Sequence, residues 1–269
     1  MNTTSYALIT GATSGIGKEL AKLFVKDGYN LVIVGRSQET LEKTAAELKS
    51  INPVKIVSIA KDLFNKNAAF ELYELVKAKG VQVDVLVNDA GQGQYGKFVH
   101  TEIQRELEII QLNISSLVVL TKLFLKDMVA RKSGKILNLS SIASKAPGPF
   151  QSVYHGTKAF VQSFTEAIRD EVKDTGVVIT ALLPGATATD FFNKADMLNA
   201  KIVAEGDLAD AETVAKDGYE ALMKGKDMVV SGFKNKIQVA MAAVTPDSMA
   251  AAQMHKQQEP IDEDNKKKH

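Results

Sequence analysis

The sequence predicts an α/β protein with a doubly wound parallel β-sheet of about seven strands and helices on both faces. Two observations predict this class. Short apolar runs rich in β-branched residues alternate along the 269-residue chain with helix-length amphipathic segments. Most of these runs are apolar throughout, which is typical of strands buried on both faces of a parallel sheet. Strand–helix alternation then implies right-handed crossovers.

The elements follow in a regular order along the chain. Strands are predicted at Tyr6–Thr10, Leu31–Gly35, Val54–Ala60, Val83–Asn88, Lys135–Ser140, Val177–Leu183 and Met228–Ser231. Helices are predicted at Gly15–Asp27, Glu39–Ser50, Asn67–Lys79, Glu102–Lys132, Val153–Thr175 and roughly Ala211–Gly225. No Pro-, Gly- or Ser-rich linker divides the chain, so residues 1–233 are expected to form one domain.

The C-terminal region differs in composition from the domain before it. Residues 234–256 are rich in Ala, Met and Val and are interrupted by Pro246, so a helical extension is expected. It could pack on the domain or a subunit neighbour, or form an amphipathic surface helix for a membrane or partner. Residues 257–269 are polar and charged and are expected to be disordered.

Composition narrows the functional classes. The net charge of +1 gives no indication of nucleic-acid binding, and the absence of Cys excludes disulfides, thiolate nucleophiles and Cys-based metal sites. No metal site is expected. Residues 1–5 lack the features of a signal peptide, and no apolar run suggests a transmembrane segment. A cytoplasmic enzyme is therefore expected.

The first predicted strand ends in a glycine-rich turn, Thr10-Gly-Ala-Thr-Ser-Gly-Ile-Gly17, and a helix begins at once. Glycines allow the backbone to approach a pyrophosphate closely, and the free N–H groups of the helix favour the anion. A structural turn without a ligand is the alternative, but the strand-then-helix context is the one that a dinucleotide site requires. This predicts a Rossmann-type sheet with cofactor contacts from Gly11, Thr13, Ser14, Gly15, Ile16 and Gly17.

The end of the second strand indicates which dinucleotide binds. An NAD site places a carboxylate there to bind the ribose 2′-hydroxyl, whereas this chain has Gly35-Arg36-Ser37. Arg36 could bind a 2′-phosphate through its planar guanidinium, and Ser37 could add a hydroxyl. The cofactor predicted is NADP(H), although an arginine in this position can also be only a solvated charge.

A candidate catalytic group extends over three elements. Tyr154-His-Gly-Thr-Lys158 begins a helix, Ser141 lies 13 residues earlier at the end of a strand, and Asn113 lies in the preceding long helix. Lys158 is one helical turn from Tyr154, so its charge should lower the phenol pKa from its usual value of about 10. The pair Tyr73 and Lys77 has the same spacing but no hydroxyl residue 13 positions upstream.

These four polar residues and the glycine spacing G-x-x-x-G-x-G resemble the short-chain dehydrogenase/reductase family over residues 5–232. The resemblance implies hydride transfer between a nicotinamide and a carbonyl or alcohol. It implies that Tyr154 is the general acid/base, that Ser141 polarises the substrate oxygen, and that Asn113 holds a water that supplies protons. Lys158 would also bind the nicotinamide ribose.

Further cofactor contacts are implied by the same resemblance, each after a predicted strand. They are Asp62, Leu63, Asn88, Ala90, Gly91, Pro184, Gly185, Thr187 and Thr189. Asp89 departs from the Asn-Asn-Ala-Gly sequence that is usual in the family, which puts the detail of that turn in doubt but not the fold, because Asp and Asn both tolerate turn geometry.

The substrate side is predicted with less detail. By resemblance, residues 190–207 form a substrate lid, and Phe191, Phe192, Met197 and Leu198 there favour an apolar substrate unless they only pack on the core. Tyr95, Pro149 and Phe150 are candidates for the pocket wall. The long helix before the catalytic strand and the helix that follows Tyr154 form the usual dimer face of the family, so a homodimer or homotetramer is expected.

Three alternatives were weighed against an NADPH-dependent reductase. One is an NAD-dependent alcohol dehydrogenase on the same fold, and another is a non-catalytic dinucleotide-binding sensor. A serine hydrolase using Ser141 and His155 is disfavoured because no G-x-S-x-G elbow surrounds the serine.

Overall fold

The computed structural model describes residues 4–261 and contains a seven-stranded, all-parallel sheet in the order β3-β2-β1-β4-β5-β6-β7. The doubly wound sheet predicted from the sequence is confirmed. The strand order reverses between β1 and β4, and a crevice forms at such a switch point, outside the carboxyl ends of the strands. The strands are β1 (Tyr6–Thr10), β2 (Asn30–Gly35), β3 (Ile56–Ala60), β4 (Val83–Asn88), β5 (Gly134–Leu139), β6 (Val177–Leu183) and β7 (Met228–Val230).

The helices cover both faces of the sheet. They are α1 (Gly15–Lys26), α2 (Gln38–Ile51), α3 (Ala68–Ala78), α4 (Ile103–Ile110), α5 (Leu117–Ala130), α6 (Ser152–Glu171), α7 (Phe191–Lys194), α8 (Lys201–Ala204), α9 (Ala211–Met223), α10 (Phe233–Ala242) and α11 (Asp247–Gln258). Helices α1, α2 and α9 pack on one face, with Ile9 and Ile33 of the sheet. Helices α3, α5 and α6 pack on the other, with Leu8 and Val32. Successive strand residues point to opposite faces, so continuously apolar strands build two cores.

Several predicted bounds shift by one or two residues, and three elements differ for a reason that the structure shows. The long helix is continuous but contains a π-helical turn, Gln111–Ser116, between α4 and α5. Strand β3 begins only at Ile56 because the Val54 N–H donates to the Asn52 carbonyl in a local turn, 2.8 Å away. Helix α6 ends at Glu171, and the Thr175 N–H donates to the Val172 carbonyl in a turn at 2.9 Å.

The long helix from Ile103 to Ala130 is the one candidate, within residues 4–261, that is long and apolar enough to cross a membrane by length and composition. These criteria are weak evidence, because a core helix meets them as well. Here Leu120, Phe124 and Met128 are buried against the sheet. The helix is therefore placed as a core element of the domain.

The C-terminal region divides into a packed helix and an exposed one. In α11, Ala250, Met254 and Gln258 are buried at four-residue intervals, which is one stripe of the helix. Helix α10 instead exposes an apolar stripe of Phe233, Ile237 and Met241, and Val244, two residues after the helix, is exposed as well.

The expectation that disorder begins at residue 257 is wrong for the first five residues. Gln257 and Gln258 belong to α11, and Pro260 pairs with Ala200 in an isolated β-bridge. The Lys201 N–H donates to the Glu259 carbonyl at 3.1 Å, and the Ile261 N–H donates to that of Asn199 at 2.9 Å. These backbone hydrogen bonds hold a polar segment against the lid. Amino-acid composition alone does not predict them, because they form between residues that are distant in the sequence. Residues 262–269 lie outside the described residues.

Candidate active site

One cleft of about 300 Å³ lies at the carboxyl ends of the strands. It begins at the glycine-rich turn after β1, passes the start of α6 and ends against α7 and α11. The part along β1, β2, β3 and β4 is called here the cofactor half. The part between α6, α7 and α11 is called the substrate half.

The glycines of the turn are required by close contacts. Gly11 and Gly15 have φ of +75° and +54°, in the left-handed region that favours glycine. A Cβ on Gly17 would lie only 2.4 Å from Asp89 Oδ2 and 2.6 Å from the Gly11 carbonyl oxygen. A Cβ on Gly15 would lie 2.9 Å from Thr189 Cγ2. The spacing G-x-x-x-G-x-G therefore keeps side chains out of three contacts at the start of α1.

Most of the predicted cofactor residues border the cleft. They are Gly11, Thr13, Ser14, Gly15, Ile16, Arg36, Asp62, Leu63, Ala90, Gly91, Tyr154, Lys158, Pro184, Gly185, Thr187 and Thr189. Gly17, Ser37 and Asn88 do not line it. The Ser37 hydroxyl accepts from the Thr40 N–H at 3.3 Å and so caps α2. The buried Asn88 amide donates to Thr121 Oγ1 and to Asn138 Oδ1, so it joins β4 to α5 and β5.

Arg36 is the exposed cation at the adenosine end of the cofactor half. Its guanidinium lies 5.8 Å from the centre of the Phe64 ring. The neighbouring Lys61 also lines the cleft and is paired with Glu71 at 2.8 Å. Neither Arg36 nor Ser37, the two residues directly after β2, is a carboxylate.

Three of the four predicted catalytic side chains meet in the middle of the cleft. Tyr154 lies in the first turn of α6, and Lys158 Nζ is 5.8 Å from the centre of its ring. Lys158 Nζ donates to the Leu139 carbonyl at 2.8 Å. The Ser141 hydroxyl accepts from the Ala143 N–H at 3.1 Å, donates to the Pro184 carbonyl at 3.3 Å and lies close enough to the Tyr154 phenol to lower its pKa.

The expected lowering of the tyrosine pKa is not what the structure gives. Burial raises the pKa of Tyr154 to about 12, and the Ser141 hydrogen bond offsets this only in part. Burial also lowers the pKa of Lys158 to about 8, while the charge of Asp89 acts in the opposite direction. Both side chains lose hydration at the cleft floor, and removal from water disfavours the charged form of each.

Asp89, the residue that departs from the family pattern, is a third titrating group in the cleft. Burial raises the pKa of its carboxyl to about 7, against the lowering effects of Lys158 and of the Gly17 N–H. The carboxyl group thus lies between the glycine turn and Lys158. Sequence reasoning marked Asp89 as an irregular turn residue and missed this position.

Asn113 lies beneath the cleft, in the π-helical turn. Its Nδ2 donates to the Gln92 carbonyl at 2.8 Å and to Thr157 Oγ1 at 3.0 Å, and its Oδ1 accepts from the Gln92 N–H at 3.0 Å. Within the described residues, its side chain therefore holds the loop after β4 against α6. A Cβ on Gly91 would lie 3.3 Å from Lys158 Nζ and 3.4 Å from Asn113 Oδ1, so Asn113 borders the lysine head.

The substrate half is lined by apolar side chains of the lid. Phe191 packs on Tyr154 with ring centres 5.0 Å apart, and Phe192 and Met197 are buried and also face the cleft. Leu198, predicted to belong with them, is exposed. Tyr95, Pro149 and Phe150 do not border the cleft, and Tyr95 and Phe150 stack behind its wall.

Polar residues of the substrate half were missed by sequence reasoning. Gln151, His155 and Gln258 all line the cleft. Gln151 and His155 are close to Tyr154 in the sequence, and this proximity could have indicated them as site residues. No sequence signal indicated Gln258, since it comes from a segment expected to be disordered.

The chain is similar to known proteins of one family. The family model for short chain dehydrogenases matches residues 5–198. Very-long-chain 3-oxoacyl-CoA reductase from Bos taurus is 34% identical over 190 residues, which are 68% of this chain and 60% of that protein. Dehydrogenase/reductase SDR family member 7B from Mus musculus is 31% identical over 251 residues, 89% of this chain and 77% of the other. The match thus spans only about 60% of the length of the bovine relative.

Solved structures agree on the fold. A short-chain dehydrogenase from Sphingobium yanoikuyae in complex with NADPH superposes with a TM-score of 0.80 at 25% identity, over 89% of this chain and 93% of that one. A structure described for 7β-hydroxysteroid dehydrogenase stereoselectivity superposes with a TM-score of 0.83 over 93% of this chain and 96% of that one. Its sequence identity is 24%, so this likeness shows the fold alone. From its family match, its parallel sheet and its relatives, the chain belongs to the short-chain dehydrogenase/reductase family.

Proposed function

We propose that this protein is an NADP(H)-dependent reductase of apolar carbonyl compounds, with Tyr154 as the general acid/base. One observation carries the proposal. Ser141, Tyr154 and Lys158 meet in a cleft that has a glycine-rich turn at one end and an apolar lid at the other. Such a cleft can hold a dinucleotide along the strands and a small apolar substrate against the tyrosine.

The residues of the cofactor half fit a nicotinamide dinucleotide. The turn after β1 lacks side chains at Gly11, Gly15 and Gly17, where a Cβ would meet other atoms, and α1 begins there with free N–H groups. When bound, this group supplies or accepts the hydride. Pro184, Gly185 and Thr187 border the cleft beside Ser141 and would hold the nicotinamide end.

The chain's own residues manage the proton. With a pKa raised to about 12, the Tyr154 phenol carries its proton at neutral pH and can donate it to the substrate oxygen. The Ser141 hydroxyl hydrogen-bonds with this phenol and can orient the same oxygen. Lys158, whose pKa is about 8, is mostly cationic at pH 7 and stabilises the phenolate that remains. Asn113 holds the Gln92 backbone beside Lys158 and would position a water for reprotonation.

The preference for NADP(H) rests on Arg36. Its guanidinium is exposed at the adenosine end and has no carboxylate beside it after β2 to repel a phosphate. A planar guanidinium binds a phosphate through paired hydrogen bonds. The NADPH named in the Sphingobium structure is a property of that protein and supports the proposal only by likeness.

A fluorescence titration with NADPH and with NADH tests this first. We expect NADPH to bind at least about tenfold more tightly, and we expect Arg36→Ala to abolish the difference. Lys43→Ala removes an equal charge from the exposed face of α2, where Lys43 pairs with Glu39, and should leave the preference unchanged. Equal or tighter NADH binding would support an NAD-dependent dehydrogenase. If neither NADPH nor NADH binds, the result would favour a protein that has this fold but no catalytic activity.

We also propose a homodimer or homotetramer that uses α4, α5 and α6. Ile103 and Leu107 on α4 and Phe160 on α6 are exposed apolar residues on this part of the surface. Contiguous exposed apolar surface is typical of subunit interfaces. Multi-angle light scattering should give the mass of two or four chains, and a monomer at micromolar concentration would contradict this proposal.

A further inference from the structure

Two buried amides in the substrate half have unused hydrogen-bonding capacity. Gln151 and Gln258 are 4% and 3% exposed, and both line the cleft. Among the residues that the structure describes, Gln151 Nε2 and Gln258 Oε1 have no hydrogen-bond partner. Buried polar groups in proteins are nearly always paired. A donor and an acceptor left unpaired in one pocket therefore point to a polar group of a ligand.

The identity of the free atom on Gln258 follows from His155. His155 Nδ1 lies 2.8 Å from the Ala146 carbonyl, which can only accept, so Nδ1 carries the proton. Burial lowers the pKa of His155 and so favours the neutral ring, in which Nε2 accepts when Nδ1 carries the proton. Gln258 Nε2, 3.1 Å from that atom, must then donate to it. The amide is thus fixed with Oε1 as its unpaired acceptor, on a residue that lines the cleft.

Gln151 faces the same space from beside the catalytic tyrosine. It precedes the first residue of α6, yet its side chain makes no capping hydrogen bond. A Cβ on Gly93 would lie 3.3 Å from Gln151 Nε2 and 3.4 Å from Tyr154 Cδ2. Phe191 Cζ would lie 3.0 Å from the same Cβ, so the amide, the phenol ring and the Phe191 ring all pack close to Gly93.

The surrounding residues hold both amides in place. Phe150, directly before Gln151, has a φ of +67°, which is unusual for a side chain of this size. Its ring lies 5.6 Å from that of Tyr95 and 4.8 Å from that of His255 in α11. The Tyr95 hydroxyl in turn donates to the Gln258 carbonyl. A strained residue fixed on both sides indicates a pre-organised recognition site.

We propose that Gln151 and Gln258 form a polar subsite that selects a carbonyl substrate carrying a second group of hydroxyl type on an otherwise apolar body. The proposal rests on the reductase function proposed above. A hydroxyl donates to Gln258 Oε1, and its oxygen can accept from Gln151 Nε2. An ether oxygen can accept but cannot satisfy Gln258, and an alkyl group satisfies neither amide. The rest of the wall, which includes Phe191, Phe192 and Met254, fits the apolar body.

Calorimetric binding tests the subsite without turnover. Acetophenone and its meta- and para-hydroxy and methoxy derivatives are titrated into the protein saturated with oxidised cofactor. We expect at least one hydroxy isomer to bind about tenfold more tightly than its methoxy counterpart and the parent. Gln258→Met keeps the length of the side chain and should remove this difference. Gln253→Met, on the exposed side of α11, should retain it.

Contrary results are clear. Equal affinities within each hydroxy–methoxy pair, a preference that persists in Gln258→Met, or binding of none of the compounds overturns the subsite. The thermal midpoint and cofactor affinity of Gln258→Met show whether α11 remains docked. The comparison of hydroxy with methoxy compounds in the wild-type protein tests the subsite without any variant.

Turnover separates the two proposals. Reduction of acetophenone with no hydroxyl preference in binding overturns only the subsite. A hydroxyl preference in binding without reduction of any compound overturns only the reductase function.

Discussion

The two halves of the cleft are built by different means. The cofactor half is made of strand ends and a backbone turn, and its close contacts lie among Gly11, Gly15, Gly17 and the ends of neighbouring strands. The substrate half is closed by residues that meet across the chain: Gln258 contacts His155 from 103 positions away and Tyr95 from 163. A half defined by backbone geometry has a recognisable sequence pattern. A half assembled by long-range side-chain contacts can vary while the fold persists.

Replacing Tyr154 should have the largest effect, because this residue lies between the two halves. Tyr154→Phe removes the proton donor and leaves the ring against Phe191. We expect kcat for ketone reduction to fall by about 10³-fold or more, as general acid catalysis and oriented proton transfer are both lost.

Affinity for the cofactor and for a ketone should change less than about threefold in this variant. Stopped-flow kinetics and titration measure the two quantities separately. A variant that retains turnover within tenfold of wild type would mean that another group supplies the proton.

A methyl group at Gly17 should damage the cofactor half selectively. The Cβ of Gly17→Ala would lie 2.6 Å from the backbone oxygen of Gly11, so the turn must move. We expect cofactor affinity to fall by about ten- to a hundredfold and stability by about 1–3 kcal/mol. Titration and thermal unfolding measure these changes.

Gly156→Ala is the matched control on the exposed side of α6, outside the cleft. A Cβ there meets no atom within 4 Å, although the residue is two positions from Tyr154. In a helix this change should be neutral or stabilising by up to about 1 kcal/mol. Equal losses of cofactor affinity and stability in Gly17→Ala and Gly156→Ala would contradict the idea that close contacts exclude a side chain from the turn.

The titration of Asp89, which lies in the cofactor half, should be visible in the pH dependence of the free energy of unfolding. Its folded-state pKa of about 7 lies above the ordinary 3.8, so the folded protein binds more protons between these values. The stabilising contribution of Asp89 to the free energy of unfolding is therefore present at low pH and is lost as pH rises toward 7.

Asp89→Asn should remove this loss. At pH 8 the variant should be more stable by about 1–3 kcal/mol, and the advantage should disappear near pH 4. Denaturant unfolding across this pH range measures the difference. A pH-independent difference would mean that the carboxyl does not titrate in this window. The variant should also lower the pKa of Lys158, because the charge of Asp89 raises it.

The smallest effect expected is in the wall behind the substrate half. Tyr95→Phe removes the hydroxyl that donates to the Gln258 carbonyl and should loosen α11. Loss of one such hydrogen bond costs about 1 kcal/mol, so KM for ketones should rise about three- to fivefold. Cofactor affinity should not change.

Tyr73→Phe is the control for this change. Its hydroxyl donates to Asp127 at 3.2 Å, between α3 and α5 and outside the cleft. KM should be unaffected in this variant. A rise in KM in both variants, or in neither, would contradict a specific role for the wall in substrate binding.

The sequence by itself determined the sheet, the order of its elements, the glycine turn and the positions of Ser141, Tyr154 and Lys158 at strand and helix ends. These features follow from local rules, namely hydrophobic period, turn chemistry and spacing along one helix. The same local rules did not predict the roles of three other side chains. Asn88 joins strands, Ser37 caps a helix and Leu198 faces solvent.

Tertiary structure alone decided the ionisation of the site and the substrate half. The pKa values of Tyr154, Lys158 and Asp89 depend on how far each head group is removed from water, and that is a property of the folded cleft. The position of Gln258 depends on α11 returning across the lid to His155. No local pattern records such a contact, because its free energy comes from groups that are distant in the chain and adjacent only after folding.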